Sequence, residues 1–227
     1  MTRRECLVDK LVMKACMDCP LSLTRTQVVL PDGPLDAEIV LVGEAPGEEE
    51  DKEGRPFVGR SGKKLDYLLS LSGISRSQIL VTNTVMCRPP GNRNPSAEEL
   101  KACRKHLDAV LSAYPRKAIL AVGDFAIKQI VGREQKAPLK AYHGRRVEDT
   151  NPTVIALYHP AAGMHNPNLI PTITKDYENI RVELGRGEVI HDDHRLISPA
   201  QAVIMLFGAE RFAFDLETTW KKDRVGD

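Results

Sequence analysis

The 227-residue chain is 42% hydrophobic, enough to bury one core of roughly 180 residues and leave a fragment over. Its 32 Lys and Arg against 31 Asp and Glu leave a formal charge of +1, which excludes a global electrostatic signature of nucleic-acid binding; any such binding has to come from local patches. The N-terminal stretch MTRRECLVDKLVMKACMDCP breaks its apolar residues with charge every two or three positions, so no secretory signal or spanning helix is expected and the protein reads as cytoplasmic, without membrane contact.

Residues 5–15 place Leu7, Leu11, Val12 and Ala15 on one helical face that runs into CMDCP. The unbroken apolar run from Glu38 to Val42 predicts a strand covered on both sides. A glycine- and carboxylate-rich loop follows, GEAPGEEEDKEGRPFVGRSGKK. A helix is expected from about Ser61 to Ser72, ending at Gly73 as a left-handed cap. QILVTN is a second strand, ending at Asn83; after CRPPGNRNP, Ser96 and Glu99 form a capping box that opens a helix through SAEELKACRKHLDAVLSAY. KAILAVGD, DFAIKQIVG and TVIALYHP read as strand, helix and strand, and Leu169 to Leu184 as a last helix. Alternating strands and helices predict an α/β fold, three-layer α/β/α with a mainly parallel central sheet, and ligands beyond the carboxyl ends of its strands. The polar, aperiodic GRGEVIHDDHRLISP reads as a linker. The expected organisation is residues 1–185 as the main domain, 186–196 as linker, and 197–227 as the start of another domain.

Five cysteines in a reducing compartment argue for metal or cluster ligation before disulfides. Cys16 and Cys19 form a CxxC, Cys87 and Cys103 lie far downstream, and Cys6 is left over. Four thiolates suit either a tetrahedral zinc or an iron–sulfur cluster, and the split second pair leans to the larger cluster. The blander reading makes Cys87 and Cys103 ordinary buried residues.

Strand one runs into the acidic loop, strand two ends at Asn83 and strand four at His159; in a parallel sheet these ends share one edge. Carboxylates, an amide and an imidazole converging there, with Phe57 as an aromatic plate, would make a pocket for a flat heterocycle. GRPFVGRS approaches a phosphate loop but has Arg60 for lysine and lies about a dozen residues past its strand, so nucleotide triphosphate binding is not expected.

The segments GEAPGEEEDKEGRPFVGRSGKKLD, TNTVMCRPPGNRNP and YHPAAGMHNP, with four cysteines at these places, resemble the family 4 uracil-DNA glycosylases over roughly residues 10 to 185. That resemblance implies a uracil-DNA glycosylase that hydrolyses the N-glycosidic bond of flipped deoxyuridine, with a [4Fe-4S] cluster on Cys16, Cys19, Cys87 and Cys103. It also implies that Phe57 stacks on the base, that Asn83 reads its O4 and N3–H edge with the backbone near Ala45 close by, and that His159 bonds O2. Glu44 and Glu50 would divide two tasks, positioning the attacking water and crowding C5 against thymine. Met164 or His165 would fill the vacated stack, and Arg60, Lys63, Arg88 and Arg93 would contact phosphate. FAFDLETT resembles the first acidic motif of DnaQ-like 3′–5′ exonucleases, and that resemblance implies Asp215 and Glu217 as metal ligands. Together these suggest the front part of a longer polymerase-like polypeptide, monomeric, acting on uracil-containing DNA in a bacterial or phage-infected cell. The alternative is a non-catalytic uracil or single-strand sensing module attached to a DNA polymerase.

Overall fold

The computed structural model describes residues 12–132 and 139–185. The expectations for Cys6, most of the N-terminal helix, the linker with its HDDH, and the tail with Asp215 and Glu217 fall outside those residues.

Strands β1 (Ile39–Gly43), β2 (Ile79–Asn83), β3 (Ala118–Val122), β4 (Arg145–Val147) and β5 (Thr153–Leu157) form one sheet in the order β2-β1-β3-β5-β4. β1 runs parallel to β2 and β3, β3 runs parallel to β5, and only the short β4 is antiparallel, against β5. Every residue of β1, β2 and β3 is buried, as their apolar runs require when both faces are covered.

The period of two along each strand divides the core. Val40, Val42, Leu80, Ile119, Ala121 and Ala156 share one cluster with Leu100, Leu107 and Val110 of the helix Ala97–Ser112 (α3). Ile39, Leu41, Val81, Leu120, Ile155 and Leu157 share the other with Leu65, Leu68 and Leu69 of Arg60–Leu71 (α2) and Ile173 and Tyr177 of Ile170–Glu178 (α7). Each fully buried leucine contributes about 1.5–3 kcal/mol, against about 1 kcal/mol for the helix-propensity cost of Gly62, so packing onto the sheet holds α2 in place. This is the three-layer α/β/α arrangement expected.

The capping box forms as its sequence predicts: Ser96 Oγ accepts from Glu99 N–H at 3.2 Å and Glu99 Oε2 from Ser96 N–H at 2.7 Å. Gly73 adopts φ +64° just past α2. Three features depart from expectation. The acidic loop contains a short helix, Glu48–Glu53 (α1), with four carboxylates in its first turn, where the helix dipole favours negative charge. Asp124–Val131 (α4) and the short Leu139–Tyr142 (α5) and Ala162–His165 (α6) precede a last segment that is two helices, α7 and Ile180–Glu183 (α8). Strand β4 was unforeseen; its ArgArgVal has one buried residue and no apolar run to mark it.

Candidate active site and cysteine centre

Parallel pairing brings the carboxyl ends of β1, β2 and β5 to one edge, with Gly43 in register with Asn83. Above it opens a cavity of about 460 Å³, lined among others by Glu44, Ala45, Glu50, Phe57, Asn83 and His159. The residues singled out from three distant segments therefore meet. The rings of Phe57 and His159 lie 5.7 Å apart at 29°. Asn83 is 3% exposed, and its side-chain amide has no hydrogen bond among the described residues, which leaves it for whatever enters. Gly43 makes this approach feasible: a Cβ there would sit 2.5 Å from both Asn83 Oδ1 and the Phe57 Cζ.

Phe57 is held in a sparsely populated conformation, φ +54°, which persists only when its surroundings over-determine it. Arg76 donates from Nη1 to the Phe57 carbonyl at 3.0 Å and from Nη2 to that of Pro56. Gly62 of α2 passes so close that a Cβ would fall 1.8 Å from the Phe57 carbonyl oxygen. Glu50 closes the loop from the other side. Its Oε1 accepts from Val58 N–H at 2.9 Å and Gly59 N–H at 2.8 Å, and its Oε2 from Gly47 N–H at 3.0 Å.

Glu44 is the contrasting carboxylate: no hydrogen bond to its side chain is made among the described residues. Burial pushes its carboxyl above the ordinary glutamate range, and the nearby charge of Asp124 adds to this. The main chain of Glu44 is tied to the next loop, with Thr84 Oγ1 donating to its carbonyl at 2.5 Å. His159 Nδ1 accepts from Ala161 N–H at 3.2 Å, so the neutral ring carries its proton on Nε2. Burial lowers the imidazole to about 4, partly opposed by Glu50; the ring is neutral at physiological pH.

Met164, His165, Arg60 and Arg93 also line the cavity, whereas Lys63 and Arg88 do not. Arg93 is fixed by two bonds to Glu99, at 2.9 and 2.6 Å, and Arg88 by Asn92 at 2.7 Å and Glu48 at 3.4 Å.

A second, small cavity, to which Met86 and Cys87 of the loop after β2 contribute, is lined by all four expected cysteines, Cys16, Cys19, Cys87 and Cys103. They come from the N-terminal segment, the loop after β2, and α3; none is in a disulfide. No three of their sulfurs lie within 4.8 Å of one another among the described residues. A single tetrahedral zinc would hold its sulfurs about 3.8 Å apart, from Zn–S bonds of about 2.3 Å. Met86 N–H donates to Cys103 Sγ at 3.3 Å and Arg25 Nη1 to Cys87 Sγ at 3.1 Å. Without a metal, burial pushes the Cys103 thiol up to about 12 and raises Cys87 too. A centre that binds thiolate removes that burden.

Sequence reasoning missed Gly43, Asp124, Arg25 and His106. Gly43 had a signal, a glycine closing an apolar strand. His106 had one as well, three residues after Cys103 and so on the same helical face. Arg25 had none.

Residues 30–181 match the family model of the Uracil DNA glycosylase superfamily. A Type-4 uracil-DNA glycosylase of Sulfurisphaera tokodaii is 39% identical over 174 residues, 74% of this chain and 79% of that protein. One from Thermotoga maritima is 43% identical over 155 residues, 68% and 80% of the two chains. More distantly, a DNA polymerase of Bacillus phage SP01 is 23% identical over 147 residues, 64% of this chain and 16% of that one. With a family model spanning most of the chain and relatives of this identity matched over most of their length, the protein belongs to the uracil DNA glycosylase superfamily.

Proposed function

We propose that the protein is a uracil-DNA glycosylase whose reaction centre is the cavity at the ends of β1, β2 and β5. The observation that carries this reading is the convergence of Phe57, Asn83 and His159 on one nucleobase-sized space, with two rings 5.7 Å apart. A base inside a duplex stack is out of reach of such a pocket, so the nucleotide is flipped in. Phe57 stacks on the extruded pyrimidine. The Asn83 amide donates to O4 and accepts from N3–H; cytosine presents the opposite pattern and is refused.

As the C1′–N1 bond breaks, the bonding pair moves onto uracil and its O2 gains negative charge. The His159 Nε2–H, fixed by the Ala161 amide on the other nitrogen, is aimed at that charge. A neutral donor suits this task, because it needs no proton uptake at working pH. The sugar is left with oxocarbenium character. Glu44, unbonded and desolvated, is the carboxylate we assign to balance that cation and orient a water, which adds hydroxyl to C1′ and loses a proton that finally neutralises the uracil anion. Glu50 has both oxygens taken by backbone amides and frames the pocket against the thymine methyl instead. Arg60 and Arg93 are the phosphate contacts, and Met164 or His165 the residue that enters the vacated stack.

Cys16, Cys19, Cys87 and Cys103 would hold a [4Fe-4S] cluster. When bound it supplies four thiolate cross-links and no step of hydrolysis. The protein gains a fixed loop: Cys87 leads directly into Pro89, Asn92 and Arg93, which line the cavity.

The likeness to the phage polymerase supports a second reading, a uracil-sensing module linked to polymerase machinery. One experiment separates the two. Incubation with a uracil-containing oligonucleotide, followed by alkaline cleavage, produces strand breaks at uracil if the protein is a glycosylase; tight binding without base release supports the sensor and defeats the first reading.

A further inference from the structure

His106 is a buried polar residue with no task in the pocket just described. It is 6% exposed, and its Nε2 is buried without a hydrogen-bond partner. Such a group costs about 1–3 kcal/mol when left unpaired, so an acceptor is expected beside it. The ring lines the small cavity of the four cysteines. A ring nitrogen of His106, Cys16 Sγ and an Asp18 oxygen all lie within 4.8 Å of one another. On α3, His106 follows Cys103 by three residues, so both side chains leave one face of the helix toward the same cavity.

Asp18 does not satisfy this nitrogen. Its carboxylate accepts from Cys16 Sγ at 3.3 Å and pairs with Lys105, while no bond from His106 is made among the described residues. His106 shares the lining of one small cavity with all four cysteines, so sulfurs of a centre bound there would be the acceptors at hand for the unpartnered Nε2. Neutral imidazole offers one N–H, and the sulfides and thiolates of an iron–sulfur centre are acceptors whose hydrogen bonds tune its potential.

We infer that His106 is a positioning residue that donates its Nε2–H to a sulfur of the centre held by Cys16, Cys19, Cys87 and Cys103, and is not itself an iron ligand. This rests on the cluster reading above. A hydrogen bond to sulfur stabilises the reduced, more negative state, so removing it lowers the midpoint potential. It also shields the sulfur facing His106 from oxidants.

The test uses anaerobically purified full-length protein. Iron and acid-labile sulfide in the unaltered protein come first: about four of each per chain are expected for a [4Fe-4S] centre, and their lack defeats the cluster reading and the His106 bond with it, whereas a full cluster with the results below unmet defeats the His106 bond alone. Resonance Raman spectra in H₂O and D₂O are then compared for the unaltered protein, H106Q and H106L. The expected result is a deuterium shift of the Fe–S modes that H106L loses and H106Q, which retains an N–H donor of similar reach, largely keeps. H106L should also bleach faster in air and have a lower midpoint potential. An undiminished deuterium shift and unchanged bleaching in H106L overturn the proposal. Iron loss from H106Q with normal folding does so too, because it makes the histidine a ligand. Should H106L fail to fold, ¹⁵N-histidine NMR of the unaltered holoprotein decides. One ring as the Nε2–H tautomer, broadened by the centre and absent from H106Q, supports the bond; narrow lines for all rings refute it.

Discussion

Substituting Glu50 separates a frame from a catalyst. Its carboxylate accepts three backbone N–H bonds, from Gly47, Val58 and Gly59, at 2.8 to 3.0 Å, and the loop it closes carries Phe57 at φ +54°. Hydrogen bonds to a charged acceptor are worth about 1.5–3 kcal/mol each, but this site is half-buried and water replaces part of what is lost, so Glu50→Ala should cost about 3 kcal/mol in all. For a protein of this size that is a fall of roughly 6–12 °C in melting temperature. Glu50→Gln keeps one carbonyl oxygen for Val58 and Gly59 and turns an N–H₂ against the Gly47 amide, for a loss of about 1–2 kcal/mol. Displacing Phe57 by about 1 Å should slow excision on the order of a hundredfold. The assay is thermal denaturation beside single-turnover excision from a uracil oligonucleotide. On this account the Gln variant keeps much of both properties and the Ala variant loses both. If the melting temperature stays constant while both variants lose activity equally, the carboxylate acts on the substrate and the framing role is wrong.

His159→Ala should reduce single-turnover excision a hundredfold or more, with iron content and melting profile unchanged; loss of iron would show that the residue serves the cysteine centre. Because burial holds His159 at about 4, below its unfolded value of about 6.5, its share of stability is complete above pH 6.5. It is lost as pH falls from 6.5 toward 4, and urea midpoints across that range, flattened in His159→Gln, check the sign. Glu44 is raised by burial and by Asp124, so Asp124→Asn should move the acid limb of the excision rate to lower pH; an unmoved limb means that another group sets it. Gly43→Ala would drive a Cβ to within 2.5 Å of Asn83 Oδ1 and the Phe57 ring. It should abolish uracil excision, and an active variant would mean that this crowded point is not the base pocket.

The sheet was legible because β1, β2, β3 and β5 are unbroken apolar runs, each ended by glycine, asparagine or a polar residue. The site was legible for the same reason: Asn83 is the last residue of β2 and His159 lies two residues past β5, and parallel pairing puts such ends together. What stayed hidden depends on contacts distant in sequence. Glu50 reads as one of several acids, and only folding shows that three amides from both sides of the loop converge on it. Arg25 reaches 62 positions along the chain to Cys87, and no local pattern encodes that. At Asn179, between α7 and α8, the side chain donates to the Gly144 carbonyl at 3.0 Å, a tertiary contact that the segment's periodicity does not encode. Strand β4 has too few buried residues to carry a signal.

The most direct test of the central claim is a crystal structure of the protein with an oligonucleotide carrying 2′-fluoro-2′-deoxyuridine, which resists cleavage of the glycosidic bond. The flipped base should lie stacked on Phe57, with its O4 and N3–H paired to the Asn83 amide and its O2 within hydrogen-bond reach of His159 Nε2. A uracil bound elsewhere, or left in the DNA stack while these three side chains face an empty cavity, would contradict the account.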